Sequence, residues 1–404
     1  MSARDRGARI APESRCWEPR YAMLDVWRGL ACLLVVFHHA GQSLGWSEIQ
    51  GSGARWLTVL TLRDMNLGVS LFFVVSGYCI AASAESNRRR SDPPWSFLTR
   101  RLWRIYPPYW AAMLAFAAIV LALDVYGLDR LHLPRRGVQL DSPGLLDWGQ
   151  WLGNFTLTET WRPHFWGSDR NVYTAVAWSL CFEEQFYMIC FLALWLIPQR
   201  LALAFGGATL VITLIRVHAW STGQLSLLSG TFPLLWHEFA VGLAVYYRLV
   251  HVRSLEARRL IDGAILGLLL IGLATRGLET SAAAAFGLAL IALRPWDAAL
   301  LTLPSLAPLA ACGRRCYSIY LIHLPIVVVG NQWLYNLGLT GFWTRVLVSI
   351  PLVSAAGIAS GWAFHAFVES RFQNLAANRQ ARPLPSPPPV RQRTIRVRTK
   401  SIVT

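Results

Sequence analysis

Charged residues are scarce in this sequence. Only 15% of the 404 residues are Asp, Glu, Lys or Arg, 54% are hydrophobic, and lysine occurs once, at Lys400. A soluble domain of this length does not need so much apolar surface, so the composition excludes an ordinary soluble globular protein. Stretches of 18 or more mainly apolar residues recur along the chain, as transmembrane helices require. The sequence therefore predicts an all-α, polytopic membrane protein.

Cysteine patterns and internal repeats are also sparse. The seven cysteines are odd in number and mostly lie inside apolar runs, so we interpret them as small buried hydrophobes rather than disulfide partners. Cys312 and Cys316 lack further Cys or His residues at zinc-site spacing, and no metal site is predicted. No internal repeat is found, although many transporters contain one.

The net charge of +16 would indicate a nucleic-acid partner in a soluble protein. Here the arginines instead flank apolar segments in alternate connections, so no nucleic acid is expected and the charge reports topology. Under the positive-inside rule both termini are cytoplasmic and the number of spans is even. Ten candidate spans follow: 26–46, 67–84, 105–127, 173–197, 200–219, 230–249, 260–275, 278–293, 315–336 and 343–367.

The chain divides into a cytoplasmic basic tail (1–21), a membrane domain (22–372) and a Pro- and Arg-rich tail (373–404). We expect the last segment to be disordered and to rest on anionic membrane lipid. The external connection 128–172 is rich in tryptophan, and such amphipathic material is expected at the outer interface of the membrane.

The first span, "LDVWRGLACLLVVFHHA" (24–40), carries ionisable residues at membrane depth, where they are usually kept for function. Arg28 and His39 are 11 residues apart, which on a helix is three turns plus ~20° and ~16 Å of rise. They share a face, whereas His38 lies ~80° away, so the spacing favours His39. Asp25 is placed to pair with Arg28. A snorkelling arginine with interfacial histidines is the alternative interpretation.

Two further segments carry small or basic residues. In "GVSLFFVVSGY" (68–78), Gly68 and Gly77 indicate close helix packing, and Ser76 supplies a hydroxyl. In "FLTRRLWRIYPPYW" (97–110), Arg101 and Arg104 are one turn apart. Arginine forks bind phosphates in a bidentate way, but interfacial anchors give the same spacing, so both interpretations stay open.

Two later segments add acids and a histidine. Glu183 and Glu184 are adjacent in "AWSLCFEEQFY" (177–187), about 100° apart on a helix, so at most one faces a given cavity. Such a carboxylate could orient a histidine or neutralise an arginine. In "RRCYSIYLIHLPI" (314–326), Tyr317, Tyr320 and His323 follow one another at i, i+3 spacing on one face, which is expected to face the interior of the bundle.

Together these segments resemble acyltransferase family 3, a family of integral membrane proteins, over roughly residues 22–372. The departures from its pattern leave the motif residues intact; they are Val26, Trp27, Cys181, Phe182 and Ser370. The matching segments, in order, are "LDVWRGLACLLVVFHH", "GVSLFFVVSGY", "RRLWRIYP", "WSLCFEEQFY", "YSIYLIHLP" and "FVESRF".

The resemblance implies a ten-helix O-acyltransferase of the inner (plasma) membrane. It would move an acyl group, with acetyl expected, from cytoplasmic acyl-CoA to a hydroxyl of an envelope polysaccharide, lipid-linked sugar or similar acceptor. Acyl-CoA would be a substrate, and no permanently bound cofactor is expected. Because some relatives carry an added extracytoplasmic domain and this chain ends soon after its last span, we expect direct transfer or a separate extracytoplasmic partner.

The resemblance also assigns roles. Arg28 and His39 would form the core of the site, with histidine as a base of suitable pKa. The remaining catalytic candidates are Glu183, Glu184 and His323, and the candidates for binding the donor are Arg101, Arg104 and Ser76. A proton-coupled transporter with several spans is the alternative function, since it would also bury Arg, His and Glu.

Overall fold

The computed structural model describes residues 21–45, 53–133, 137–167 and 169–373. Over these ranges the chain forms helices and no strand, which confirms the all-α prediction. The tails predicted over 1–21 and 373–404 lie outside the described residues, apart from Tyr21 and Gln373, so their basic and disordered character stays a prediction.

The α-helices of the described residues follow one another along the chain, with turns and 3₁₀ segments between them. In chain order the first eight are α1 (Leu24–Gly41), α2 (Gly53–Asp64), α3 (Gly68–Arg89), α4 (Pro94–Val125), α5 (Trp148–Phe155), α6 (Arg162–Trp166), α7 (Trp178–Leu196) and α8 (Leu201–Ser221). The remainder are α9 (Trp236–Val250), α10 (Leu255–Ala274), α11 (Leu278–Leu293), α12 (Asp297–Leu300), α13 (Ala307–Arg314), α14 (Cys316–Asn336) and α15 (Phe342–Gln373).

Six helical stretches of the described chain are long and apolar enough to cross a membrane, which confirms a multi-pass protein. They are Gly53–Arg89, Pro94–Val125, Ala175–Leu196, Pro198–Ser221, Leu278–Leu300 and Phe342–Gln373. The other four predicted spans coincide with α1, α9, α10 and α14, which are helical but shorter or more polar. Helix α9, for example, has 15 residues and a length of ~22 Å, less than the ~30 Å of a bilayer core. The number of ten spans stays a prediction.

Glycines set the close approach of α3 to α9. A Cβ atom at Gly77 would lie 2.1 Å from the carbonyl oxygen of Phe239, and one at Gly242 would lie 2.0 Å from that of Val74. Real Cβ atoms do not come so close, so each position requires glycine. This confirms the packing interpretation of Gly77, and it fixes the helix that carries Ser76.

The connection between α4 and α7 contacts α4 at two positions that are far apart along the helix. Near the C-terminal end of α4, Asp124 contacts the His132 ring at 2.6 Å. The carboxyl end of α5 instead contacts the middle of α4, about 18 residues and ~27 Å away. Each contact there is a 2.9 Å hydrogen bond from an α4 side chain to a carbonyl: Tyr106 to Thr156, Tyr109 to Asn154 and Trp110 to Phe155.

These bonds satisfy carbonyl groups at a helix end, which have no partner within the helix and none in lipid. The placement of 128–172 at the outer interface of the membrane stays a prediction. The end of α5 packs against the middle of α4, whereas Trp148 and Trp166 are exposed, with exposed fractions of 90% and 68%.

A buried ion pair holds the turn after α5. Arg162 Nη2 lies 3.0 Å from the carboxylate of Glu159, which also accepts a hydrogen bond from the backbone N–H of Asn171. Burial raises the pKa of Glu159, and the hydrogen bonds from Asn171 and Arg162 act in the opposite direction. Both charges are thus compensated locally, as a buried pair needs.

Candidate active site

A cavity of about 120 Å³ lies between α1, α3, α4, α7 and α14. Three arginines and one glutamate line it, together with several hydroxyl groups. The polar lining residues are Arg28, Ser76, Cys79, Arg101, Arg104, Ser179, Glu183, Tyr187, Cys316, Tyr317 and Tyr320. The apolar ones are Val69, Phe72, Phe73, Val75, Ile80, Ile105 and Leu180. Five of the eight residues nominated from the sequence line this cavity. Glu184 does not line it, and His39 and His323 lie together elsewhere.

Arg28 makes two contacts at the cavity wall. Its Nη1 donates to Asp25 Oδ1 at 3.1 Å, which confirms the predicted pair, and its Nη2 donates to Cys79 Sγ at 3.0 Å. Arg28 and Cys79 also line a second cavity of about 580 Å³, on the side of Tyr21 and Tyr246. The guanidinium therefore stands in the wall between two cavities, where it can reach a ligand in either.

Arg101 and Arg104 both line the first cavity but differ in surroundings. The Arg101 guanidinium lies over the rings of Phe97 and Tyr187, 5.8 and 5.6 Å from their centroids. Arg104 is exposed, and within the described chain no carboxylate or hydrogen-bond acceptor contacts it. An anionic ligand can bind both to the Arg101 guanidinium, which the two rings hold in place, and to the exposed Arg104 guanidinium.

The two adjacent glutamates separate as their spacing predicts. Glu183 lines the cavity, and its Oε1 accepts hydrogen bonds from Ser76 Oγ at 2.7 Å and from the Tyr187 hydroxyl at 2.5 Å. Glu184 is not part of the lining, and its buried Oε1 has no hydrogen-bond partner in the part of the chain that the structure describes. Within the described residues neither acid contacts a histidine, and the carboxylate beside Arg28 belongs to Asp25. The lining therefore has an excess of positive charge.

The first cavity suits the reactive end of a ligand rather than a whole nucleotide. Sites that enclose a drug-sized ligand have volumes of roughly 300–1,000 Å³, and this one is smaller. Its lining includes apolar side chains, among them Phe72, Phe73 and Ile80, as well as the three arginines. A ligand with a short uncharged segment joined to an anionic group would match both kinds of lining residue.

His39 lies outside this cavity, near the other end of α1. Its ring contacts those of His38 and His323, with centroid distances of 5.1 and 5.3 Å. The Tyr320 ring lies 6.0 Å from that of His323 and lines the cavity. Arg28 and His39 thus share the predicted face of α1 but have different neighbours, and His323 and Tyr320 form the path between them.

His323 is fully buried and has one free nitrogen. Its Nδ1 lies 3.0 and 2.9 Å from the carbonyl oxygens of Ile319 and Tyr320, so Nδ1 carries the proton. Among the described residues its Nε2 has no hydrogen-bond partner. An imidazole with a bare nitrogen beside His39 is a second group able to accept a proton at this end of α1.

Sequence reasoning missed several residues that the structure adds. Cys79 contacts Arg28, Tyr187 contacts Glu183, and Gln42 contacts both histidines of α1. Gln42 follows His39 by three residues, a spacing that brings side chains together on a helix, so it could have been nominated. Cys79 comes from another helix, and no local spacing indicates its contact with Arg28.

Comparison with known proteins agrees with this arrangement. The acyltransferase domain of acyltransferase family 3 matches residues 21–365. The chain belongs to acyltransferase family 3. It is accordingly a membrane acyltransferase, and the matched residues include both the cavity and the His39 cluster.

Individual relatives are more distant. The chain is 27% identical over 351 residues to a membrane-bound transacylase, BcsY, of Komagataeibacter xylinus, which covers 82% of this chain and 79% of that protein. It is 24% identical over 355 residues to the O-acetyltransferase OatA of Staphylococcus aureus, which covers 79% of this chain but 53% of OatA. The chain thus spans about half of OatA. No solved structure matches this chain.

The last family motif, "FVESRF", has a structural position in this acyltransferase. Glu369 on α15 is buried and accepts hydrogen bonds from Ser318 Oγ at 2.5 Å and from the His365 ring at 2.9 Å. Ser318 lies in the first turn of α14, next to the cavity residue Tyr317. Glu369 therefore fixes the end of α14 that forms one wall of the cavity.

Proposed function

We propose that this membrane acyltransferase moves an acyl group, with acetyl as the first candidate, from cytoplasmic acyl-CoA to a hydroxyl of an envelope polysaccharide, lipid-linked sugar or similar acceptor. The observation that carries the proposal is the cavity beside Arg28, which has a cationic part and an apolar part. The O-acetyltransferase activity named for OatA supports transfer to oxygen.

The donor would bind with its thioester in the cavity and its phosphates at the arginines. Arg104 is exposed and lacks a carboxylate partner among the described residues, so it is available to a phosphate. Arg28 would donate hydrogen bonds to the donor and position its thioester in the cavity. Ser76 orients Glu183 in the lining and does not itself need to contact the donor.

In the transfer step the acceptor hydroxyl attacks the thioester carbon while His39 removes its proton. The carbon–sulfur bond breaks, the ester forms, and the departing CoA thiolate takes the proton back from His39. No other reactant is consumed. A histidine is suited to this exchange because it gains and loses a proton near neutral pH.

The reacting groups must come together across the wall formed by Phe72 and Tyr320. These rings line the cavity with centroids 6.0 Å apart, and Tyr320 leads by way of His323 to His39. The donor would approach from the side of Arg28 and the acceptor from the side of His39. Transfer then requires that the two rings move apart.

The proposed setting is the inner membrane with both termini in the cytoplasm, as the arginine distribution predicts. One experiment tests this setting and also tests whether a separate extracytoplasmic partner takes part. Inverted membrane vesicles from a strain that makes the protein are given [14C]acetyl-CoA, and alkali-labile label is measured in the glycan and lipid-linked sugar fractions. Right-side-out vesicles test the orientation, because the donor cannot reach its site in them.

We expect label in an ester of the glycan fraction with the parent protein, and much less with Arg28→Ala at equal protein level and limiting acetyl-CoA. Transfer in right-side-out vesicles only would contradict the orientation. Release of [14C]acetate or accumulation of acetyl-CoA inside the vesicles without ester formation would contradict the function; the second result would favour a transporter. Full transfer by purified protein in liposomes that contain the acceptor fraction alone would exclude the need for a partner.

A further inference from the structure

The end of α1 contains a side-chain network that the proposed mechanism does not yet use. The amide of Gln42 lies between two imidazoles: its Nε2 is 2.9 Å from His38 Nε2, and its Oε1 is 3.3 Å from His39 Nδ1. At the far end of the network, His38 Nδ1 is 3.2 Å from the backbone carbonyl oxygen of Leu62 in α2. All three side chains are partly buried.

The direction of each hydrogen bond follows from the carbonyl at the end. The Leu62 oxygen only accepts, so His38 Nδ1 carries a proton and His38 Nε2, in the neutral ring, has a lone pair. The Gln42 amide nitrogen donates to that lone pair. The other side of the amide, its oxygen, then faces His39 Nδ1 and can only accept, which places the proton of His39 on Nδ1.

The result for His39 is a free lone pair on Nε2. No hydrogen-bond partner of Nε2 occurs among the described residues, so this nitrogen is the one open to an acceptor hydroxyl. A neutral imidazole otherwise exchanges between two tautomers, and in the other tautomer Nε2 carries the proton and is useless as a base. The hydrogen bond on the opposite nitrogen selects the tautomer.

We propose that Gln42, supported by His38, is a positioning residue that holds His39 in the tautomer with a basic Nε2. This inference rests on the proposed function, in which His39 is the base. It gives His38 a role that its place off the Arg28–His39 face did not predict. The loss on removing His38 should be smaller than on removing Gln42, because Gln42 would still accept from His39.

The charged or titratable groups that face this network are few. From α14, His323 presents its ring to His39; from α2, Arg63 lies near His38. From α15, Arg345 donates to the carbonyl of Ser43, one residue after Gln42. None of these groups is an acid, so a carboxylate introduced at position 42 would be an anion beside His39 where the described residues place none.

The test compares Gln42→Leu and Gln42→Glu in the vesicle assay over a range of pH. Gln42→Leu removes the acceptor for His39 Nδ1, and we expect kcat to fall by about tenfold to a hundredfold with KM for acetyl-CoA unchanged. Gln42→Glu keeps the acceptor and adds charge, so we expect higher kcat than in Gln42→Leu. The acidic limb of its pH–kcat profile should move to higher pH, because a carboxylate stabilises the imidazolium.

The matched control is Gln332→Leu on α14, which removes another glutamine amide from a side-chain hydrogen bond, to Asn336. We expect no change in kcat or in the pH profile. If Gln42→Glu loses activity without a shift of the profile, or if Gln42→Leu keeps parental kcat, the positioning role is excluded.

A second readout does not depend on activity. In protein labelled with [15N]histidine, we expect the His39 resonances, identified by their loss in His39→Ala, to show a protonated Nδ1 and a bare Nε2. Gln42→Leu should give a mixture of tautomers. A protonated Nε2 in the parent, or an unchanged tautomer in Gln42→Leu, would overturn the inference. If the parent protein transfers no acyl group at all, the proposed function fails, and the tautomer still decides the role of Gln42.

Discussion

The two ends of α1 differ in the chemistry that surrounds them. Around Arg28 the polar groups are ionic: a guanidinium, the carboxylate of Asp25 and two further arginines at an open cavity. Around His39 they are neutral rings and an amide, and in the described structure no carboxylate takes part. The first set suits recognition of an anionic donor, and the second suits proton transfer.

Two residues on the same face of a helix can therefore belong to different sites. Arg28 and His39 lie on one face of α1, as their spacing predicts. They are ~16 Å apart along the helix axis, however, and contact different neighbouring helices. Arg28 contacts Cys79 of α3, and His39 contacts His323 of α14. We therefore expect donor binding and proton transfer to depend on different residues, so each substitution below should affect mainly one of the two.

The largest effect should come from the proton-transfer end. His39→Ala should lower kcat by about 10²–10⁴-fold, because the base is lost, with expression and membrane insertion near those of the parent. Ester-linked acetate on the purified glycan, measured by NMR, is the readout.

The control for this change is His218→Ala, which removes an exposed imidazole from α8. It should retain parental acylation. If His39→Ala acylates as well as this control does, the His39 end of α1 takes no part in the chemistry. Function would then depend on the cavity beside Arg28 alone.

The next effect should come from Arg28. Arg28→Ala removes a cationic hydrogen-bond donor from the lining of the cavity where the donor would bind, so KM for acetyl-CoA should rise by about 10- to 100-fold. Arg28→Lys should restore little, since an ammonium cannot reproduce the fork that reaches Asp25 and Cys79. Initial rates against acetyl-CoA concentration measure both. A fall in kcat with KM unchanged would place Arg28 with the proton-transfer groups instead.

Arg101 and Arg104 provide a further test of donor binding. Arg104→Ala should raise KM for acetyl-CoA more than Arg101→Ala does, because Arg101 is also held by two aromatic rings while Arg104 is exposed. The loss should shrink as salt is added, since exposed charges are screened. Arg200→Ala, at an exposed arginine between α7 and α8, is the control. Equal KM in Arg104→Ala and this control would reduce Arg104 to an interfacial anchor.

The smallest effect should come from Ser76. Ser76→Ala removes one of two donors to Glu183 Oε1, and Tyr187 remains, so the rate should fall by less than about tenfold. Removing Tyr187 as well, in Ser76→Ala with Tyr187→Phe, should cost more than the two single changes together. The double variant, compared with each single one by initial rates, checks this. Simple additivity would mean that Glu183 does not depend on these donors.

Local spacing predicted much of the molecule. The helical class, the pair of Asp25 with Arg28, the packing at Gly77 and the separation of Glu183 from Glu184 all follow from residues within a few turns of one another. Physical rules for one helix are sufficient for such features.

Contacts between distant segments were beyond that reasoning. The bond from Arg28 to Cys79 and the approach of His39 to His323 depend on how α3 and α14 pack against α1. The contact between the end of α5 and the middle of α4 depends on hydrogen bonds from aromatic side chains that lie 45 to 50 residues away in the chain. The hydrophobic pattern indicates only that these segments are apolar, and not which partner satisfies their polar groups.

The separation of donor binding from proton transfer is tested most directly by calorimetric titration of acetyl-CoA into purified parent, His39→Ala and Arg28→Ala proteins. The account predicts that His39→Ala binds acetyl-CoA with the parental Kd, although it does not acylate, and that Arg28→Ala binds at least about tenfold more weakly. Weaker binding by His39→Ala with parental binding by Arg28→Ala would contradict it.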